Sequence, residues 1–378
     1  MTLEVVLEEC RRRKGIDLVA VVDCASPGVR NDIRRLLDAG RMAPEPGGGL
    51  RFDGGPVLIP AVEVEIGGEG AGPAHYVLYF PDLASVDGAA EVLGRTIRNI
   101  QLSSQRTRMR AKDLLDLAEG HGGFLVPAHV FTPHKGFYGA CAPRLEDVFG
   151  AEAARVFAVE LGLSADTAMA DRLSELASRA FLSSSDAHSP ERIGREFSAL
   201  EVERPSFEEL VRALKRNGGR RVAANYGLDP RLGKYYRSAC LACGQVAGGP
   251  PPVHRCGRCG SDRMVKGVLD RLEEIADRSN PESPPGRPPY VHQVPLAFVP
   301  GVGPRTMARL LDAFGTEMSV LHRIPAEELA AVAGSDVAGR ILLAREGRLP
   351  LRAGGGGVYG RVSGPGTGGL RTETLRGC

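Results

Sequence analysis

The sequence predicts an α/β domain with a largely parallel sheet or barrel, followed by a small four-cysteine module and an all-α domain. Three observations predict this. Short β-rich apolar runs alternate with helical stretches through residues 1–200, four cysteines stand in two CxxC pairs, and a helical pattern resumes after a proline-rich stretch. Strands that alternate with helices bury a sheet between helical layers, which is the α/β arrangement.

The strands are read in order at 16–23 (IDLVAVVD), 56–66 (PVLIPAVEVEI), 74–80 (AHYVLYF), 122–130 (GGFLVPAHV), 155–163 (RVFAVELGL) and 179–188 (RAFLSSSDAH). Helical patterns lie between them at 84–100, 103–119 and 165–178. This α/β domain is assigned to 1–222. A basic stretch with Lys215, Arg216, Arg220, Arg221, Arg231, Lys234 and Arg237 leads into the cysteine module, assigned to 223–278, whose end (264–277) reads as helix. The stretch SNPESPPGRPPY (279–290) reads as a linker, because its prolines deny it regular structure. A helical domain is expected over 291–350, and the glycine-rich tail, 351–378, is expected to be disordered.

Composition narrows the function classes. The chain has 378 residues, 43% hydrophobic and 25% charged, as in an ordinary globular protein. A net charge of +2 leaves nucleic-acid binding to local patches. No apolar run is long enough to span a membrane, and MTLEVVLEECRRRKG lacks the apolar core of a signal peptide. Eight cysteines in a chain this long do not suggest a disulfide scaffold. The CxxC pairs point to metal in a reducing cytoplasm.

Cys240-x2-Cys243 and Cys256-x2-Cys259 are separated by twelve residues. Each CxxC turn aims two thiolates at one ion, and two turns complete a tetrahedral shell. A closed four-thiolate shell has no open position, so the expected ion is a structural Zn2+. A redox pair needs one CxxC beside a βαβ unit rather than two facing knuckles.

FVPGVGPRTMARLLDAFGT (298–316) has the pattern of a helix–hairpin–helix. Gly301 and Gly303 bracket a tight turn whose amides face a phosphate, Val302 anchors the hairpin, and Arg305 adds charge in the next helix. A second, degenerate hairpin is read at 324–342, with Asp336 where the first has Pro304. The bland alternative is a simple helical hairpin joined by glycine.

The remaining chemistry lies at strand ends. Active sites of α/β folds collect at the carboxyl ends of strands, and Asp23, Glu63, His129, Asp186 and His188 lie at or near them. Glu63 and Glu65 alternate on one strand and face the same side, while His75 opens another. Carboxylates with imidazoles can hold two or three divalent ions such as Zn2+, Mn2+ or Mg2+. Such clusters bind a phosphodiester and activate water.

SSSDAHSP, PAHVFTPHKGFYG, VEVEI followed by AHYVLYFP, and VELGLSADTAMAD resemble a PHP (polymerase and histidinol phosphatase) phosphoesterase domain, a distorted (β/α) barrel. The order of this domain, a zinc module introduced by NYGLDPRLGKYYRSAC, and RPPYVHQVPLAFVPGVGP resembles the endonuclease Q family over residues 15–345. That resemblance implies a DNA repair enzyme that nicks 5′ to a deaminated base (uracil or hypoxanthine) or an abasic site. It implies damaged duplex DNA as partner, a cytoplasmic, nucleoid-associated location, and Asp23, Glu63, His75, His129, Asp186 and His188 as metal ligands. Asp186, His188, His129 and Glu63 are the implied catalytic set. Thr132, His134 and Lys135 follow a metal-site loop and are expected to touch phosphate or lesion.

The chain departs from that pattern at its start. PHP domains open with a strand carrying an HxH pair of ligands, and this chain contains no HxH. Cys24 also stands where many PHP domains have histidine. The first strand is therefore expected to be missing, leaving an unpaired edge and a weak or inactive chain unless it is extended. Two other functions compete: a small-molecule phosphatase, which leaves the zinc module and hairpins unexplained, and a catalytically impaired DNA-binding protein.

Overall fold

The computed structural model describes residues 1–102 and 104–362. It opens with α1 (Leu3–Glu9), a π-helical turn at Cys10–Lys14, strand β1 (Leu18–Val21) and α2 (Pro27–Asp38). A hairpin of β2 (Met42–Pro44) and β3 (Leu50–Phe52) leads to the long β4 (Val57–Ile66) and to β5 (Ala74–Tyr79). Helices α3 (Leu83–Gly94) and α4 (Ala111–Gly120) precede β6 (Phe124–Pro127). Short elements follow: α5 (Glu146–Phe149), β7 (Ala158–Glu160), α6 (Thr167–Ala170) and β8 (Ala180–Leu182). The α/β part closes with β9 (Phe197–Glu201), α7 (Phe207–Leu214) and β10 (Arg221–Gly227).

The alternation of strands and helices matches the expected class, but the pairing is less parallel than expected. A six-stranded sheet runs β2-β3-β4-β5-β6, antiparallel throughout, with β1 parallel to β4. The cause is connection length. Only residues 67–73 join β4 to β5, and a parallel crossover needs about a dozen or more. All three expected helices are also shorter than their patterns, the first ending at Gly94 rather than at 100. Residues 105–107 lie alongside Glu65, which receives and gives backbone hydrogen bonds (Glu65 N to Gln105 O, 3.1 Å; Thr107 N to Glu65 O, 3.0 Å), so helix begins only at Ala111. Over 165–178 the helix is broken into α6 and a 3-10 turn at Ser174–Ser178.

The strand pair β7–β8 is parallel, and β10 pairs with β9 on one side. On its other side β10 takes β13 (Tyr290–His292) in parallel. The expected boundary at 222 therefore falls inside a strand. Among the described residues β1 pairs only with β4, and β9 only with β10. Their outer edges border one cleft of about 960 Å³, lined by Leu18–Val22 on one wall and Phe197–Leu200 on the other.

β11 (Ala239–Cys240) and β12 (Met264–Val265) form the small cysteine module, backed by α8 (Val268–Ile275). The proline-rich stretch that follows is not a free linker. Arg287 is 2% exposed, pairs with the Asp171 carboxylate at 3.0 Å and lies 3.7 Å from the Phe181 ring centroid. It also donates to the carbonyls of Arg179 and Leu176. The prolines exclude helix and sheet, but a buried guanidinium still ties this stretch to the α/β domain.

The C-terminal domain packs α9 (Pro304–Phe314), α10 (Glu317–His322), α11 (Ala326–Ala333) and α12 (Ser335–Arg345) around Val302, Leu310, Val320, Leu329 and Ile341. The tail was expected to be disordered from 351, yet β14 (Leu351–Arg352) and β15 (Arg361–Val362) form a hairpin. Gly354, Gly357 and Gly360 donate to the carbonyls of Arg231, Lys234 and Leu232. Glycine allows this close backbone approach, since a Cβ on Gly360 would stand 2.5 Å from the Arg352 oxygen. The rest of the expected disordered tail, 363–378, lies outside the described residues. No helix among the described residues is long and apolar enough to cross a membrane.

Candidate metal centre

Antiparallel register builds the centre. Glu65 on β4 stands opposite His75 on β5, and Glu63 lies two residues along on the same face. His75 Nδ1 is 3.1 Å from Glu63 Oε1, and its Nε2 is 3.6 Å from Glu65 Oε2. His129 follows the end of β6 at φ +31°, a region costly for a side chain with a Cβ. That turn puts its Nε2 3.3 Å from His75 Nδ1 and 3.7 Å from Glu63 Oε1. Ser104 donates to the other Glu63 oxygen.

Glu63, His75 and His129 offer ligand atoms within 4.8 Å of one another. Burial works to raise the Glu63 carboxyl, but the His129 and His75 imidazoles beside it outweigh burial and hold it well below the usual carboxylate range. For His129 burial works downward, yet the Glu63 carboxylate raises the imidazole above its ordinary value. Buried His75 Nε2, His129 Nδ1 and Asp23 Oδ1 have no hydrogen-bond partner among the described residues. Buried polar atoms are normally satisfied, so these orphans fit a site that holds cations.

Asp23 closes β1 and bridges Val62, which places it beside Glu63. Asp186 and His188 line the same cleft, but they are not drawn into the cluster. They sit on the loop after β8, with side chains 43% and 80% exposed and 3.9 Å apart. The strand expected over 179–188 stops at Leu182, where Ser183 N donates to the Ser198 hydroxyl instead of to a strand carbonyl, and the loop turns at Asp186 with φ +44°. Cys24 is fully buried, donates to the Val21 carbonyl and has its thiol pushed up to about 12 by burial, so it remains a packed thiol.

Glu65 is drawn into ion pairs with Lys135 at 2.8 Å and with Arg106. Lys135 is thereby held at the rim of the centre, at φ +63°. His134 rests edge-on against Tyr235 with centroids 5.0 Å apart. Thr132 closes the turn on His129, its N–H donating to the His129 carbonyl at 2.9 Å.

Sequence reasoning missed Glu160. It ends β7, is fully enclosed behind His129, and burial pushes its carboxyl up to about 7. Its signal was visible: a lone acid inside the apolar run RVFAVELGL. Ser104 was also missed, and nothing in a polar loop distinguishes it.

In the cysteine module Cys240 and Cys259 sulfurs lie 3.6 Å apart, as do those of Cys243 and Cys256. A tetrahedral zinc with bonds of about 2.3 Å separates its sulfurs by roughly 3.8 Å. All four sulfurs lie within 4.8 Å of one another, so the donor set fits a four-thiolate ion. In the C-terminal domain Gly301 has φ +93°, Val302 is buried, and Gly303 and Arg305 are exposed.

Comparisons with known proteins follow this geometry. A family model described as PHP-associated matches residues 166–218, which include Asp186 and His188. An uncharacterized protein of Bacillus subtilis, YqxK, is 44% identical over 96% of this chain and 92% of its own. An uncharacterized protein of Methanocaldococcus jannaschii is 40% identical over 54% of this chain and 28% of its own. Two solved structures superpose with a TM-score of 0.82 at 35% identity. The lesion-specific endonuclease of Pyrococcus furiosus, PfuEndoQ, is matched over 96% of this chain and 90% of its own. An endonuclease Q bound to a 27-mer duplex with an abasic lesion at the active site is matched over 97% and 92%. With this fold and this coverage, the chain belongs to the endonuclease Q family and carries its PHP-type architecture.

Proposed function

We propose that this protein is a metal-dependent DNA repair endonuclease that nicks one strand 5′ to a deaminated base, uracil or hypoxanthine, or to an abasic site. The observation that carries the reading is the Glu63–His75–His129 cluster, open to a cleft shared with Asp23, Asp186 and His188. The relative bound to an abasic duplex at its active site supports DNA as the substrate.

Glu63, His75 and His129 would hold divalent metal, with Asp23, Asp186 and His188 completing the shell. A divalent metal supplies Lewis-acid charge to a phosphoryl oxygen and acidifies water. The residues themselves do the positioning. Glu63 keeps its charge because two imidazoles lie against it, His75 within hydrogen-bond distance, and Ser104 fixes the rotation of its carboxylate. Lys135, held by Glu65, offers an ammonium at the rim to a phosphate. Thr132 and His134 flank it as further contacts to the backbone or lesion. Cleavage 5′ to the lesion leaves a 3′-hydroxyl and a 5′-phosphate. A lesion that pairs poorly leaves the stack at least cost.

The four-thiolate module would hold a structural Zn2+. The turn Gly301–Val302–Gly303 with Arg305 would grip the backbone as a helix–hairpin–helix, without reading sequence. The His-x-His pair of the PHP pattern is absent from the sequence. Without it, an impaired DNA-binding protein is the competing reading, and the unpaired β1 and β9 edges favour it.

The test uses a uracil-containing duplex, a phosphomonoester and Mn2+. Nicking of the duplex, reduced about 10²-fold or more by Asp186→Ala, is the expected result. Turnover of the phosphomonoester alone, or nicking that survives Asp186→Ala unchanged, overturns the reading.

A further inference from the structure

Asp186 stands on a loop with no regular hydrogen-bonding partner strand, at a left-handed φ of +44°. Such a conformation is strained in a residue with a Cβ and persists only where the surroundings over-determine it. The surroundings here converge on one side chain. Arg195 is 7% exposed. Its Nε donates to the Ser185 carbonyl at 2.7 Å and its Nη2 to the Asp186 carbonyl at 3.0 Å. The two carbonyls flank the strained residue, and the rigid guanidinium fork sets their separation.

The remaining arm, Nη1, reaches the Tyr359 hydroxyl at 3.3 Å. Tyr359 belongs to the loop of the C-terminal hairpin, where Lys234 also approaches its ring at 5.9 Å. The Arg195 carbonyl accepts from Gln293 Nε2 at 2.9 Å, and Gln293 Oε1 meets His322 Nε2 of α10 at 3.2 Å. Ser185 adds a local lock: its hydroxyl accepts from Gly194 N at 2.8 Å and donates to the Glu196 carbonyl at 3.0 Å. One buried arginine thus ties the Asp186 loop to the tail hairpin and to the helical domain.

We propose that Arg195 is the positioning residue of the metal centre, and that Tyr359 of the tail hairpin braces it, making residues 351–362 part of the catalytic apparatus. The inference rests on Asp186 being a metal ligand, as the proposed function holds. Charge and positioning predict opposite signs here. Removing a cation near a metal site strengthens cation binding by Coulomb's law. Releasing a ligand from its supporting hydrogen bonds weakens binding by about 10- to 100-fold.

The experiment measures Mn2+ affinity by electron paramagnetic resonance on the full chain, with melting temperature and hydrogen exchange of residues 184–188 as controls on folding and loop order. Arg195→Met is expected to weaken Mn2+ binding about 10- to 100-fold and to speed exchange in that segment. Arg195→Lys, which keeps the charge without the fork, is expected to weaken it to an intermediate extent. Tyr359→Phe is expected to weaken it about fivefold, the equivalent of one neutral hydrogen bond. Unchanged or tighter Mn2+ binding in a folded Arg195→Met protein, with unchanged exchange over 184–188, overturns the proposal. Asp186→Ala separates the two claims: if it leaves Mn2+ affinity intact while Arg195→Met still frees the loop, the ligand assignment fails and only the brace stands.

Discussion

At Glu63 burial and hydrogen bonding oppose each other, and bonding wins. At Glu160 and Glu196 burial wins, and their carboxyls are pushed up to about 7 and about 8. Glu196 accepts one bond, from Leu228 N at 2.7 Å, which is too little to offset its enclosure. The sign of the linkage follows. The folded state binds the Glu196 proton more tightly than the unfolded state, so stability falls as pH rises from about 4.5 to about 8. Glu196→Gln keeps an acceptor for Leu228 without the charge. In the presence of chelator it is expected to raise Tm by a few degrees at pH 8 and to leave it nearly unchanged at pH 4. A Tm that shifts equally at both values contradicts the buried-acid account. At this scale the sequence was partly legible. Strand alternation places Glu63 and Glu65 on one face, whereas the approach of His75 and His129 depends on register and on the turn after β6. Glu160 and Arg195 were not legible, because their roles depend on enclosure and on contacts between distant segments.

The elements show why some boundaries were legible and others were not. β4 and β5 were read nearly to the residue because each is a continuous apolar run between breakers, while β6, read over 122–130, spans only Phe124–Pro127. β2, β3, β9 and β10 went unread, since their runs are short or interrupted by charge. The antiparallel order was implicit in the brief 67–73 connection. The proline-rich stretch was misjudged because proline excludes regular structure but not docking. Arg287 gives that docking a measurable strength: its charge is buried against Asp171, and removing one member of such a pair costs about 3–5 kcal/mol. Arg287→Ala is expected to lower the unfolding free energy by that amount in denaturant titration. A loss below about 1 kcal/mol, the size of an exposed pair, would show that the stretch is not clamped. The hairpin of the C-terminal domain makes a separate prediction. Arg305→Ala should weaken DNA binding equally on all sequences and reduce the slope of log K against log salt by about 1. An unchanged slope would remove Arg305 from the interface.

Across the whole molecule the candidate metal centre opens to the cleft that Met318 and His322 of the helical domain also line. Lys14, 2% exposed, reaches Glu317 Oε1 of α10 and the Glu191 carbonyl, each at 2.8 Å. With Arg195 and Gln293 it joins the helical domain to the loop that carries Asp186. The surface proposed to grip DNA backbone is thereby tied to the residues proposed to cut it. The order of modules was legible from their motifs, because CxxC spacing and the hairpin glycines are local signals. Their mutual packing was not, because it rests on single buried side chains from distant segments. The most direct measurement maps cleavage on an end-labelled duplex carrying one abasic site, with Mn2+, beside the same duplex undamaged and beside Glu63→Gln. The expected result is a single nick immediately 5′ to the lesion, absent from the undamaged duplex and lost in Glu63→Gln. Cleavage at equal rates in damaged and undamaged DNA, or a nick that persists in Glu63→Gln, would contradict it.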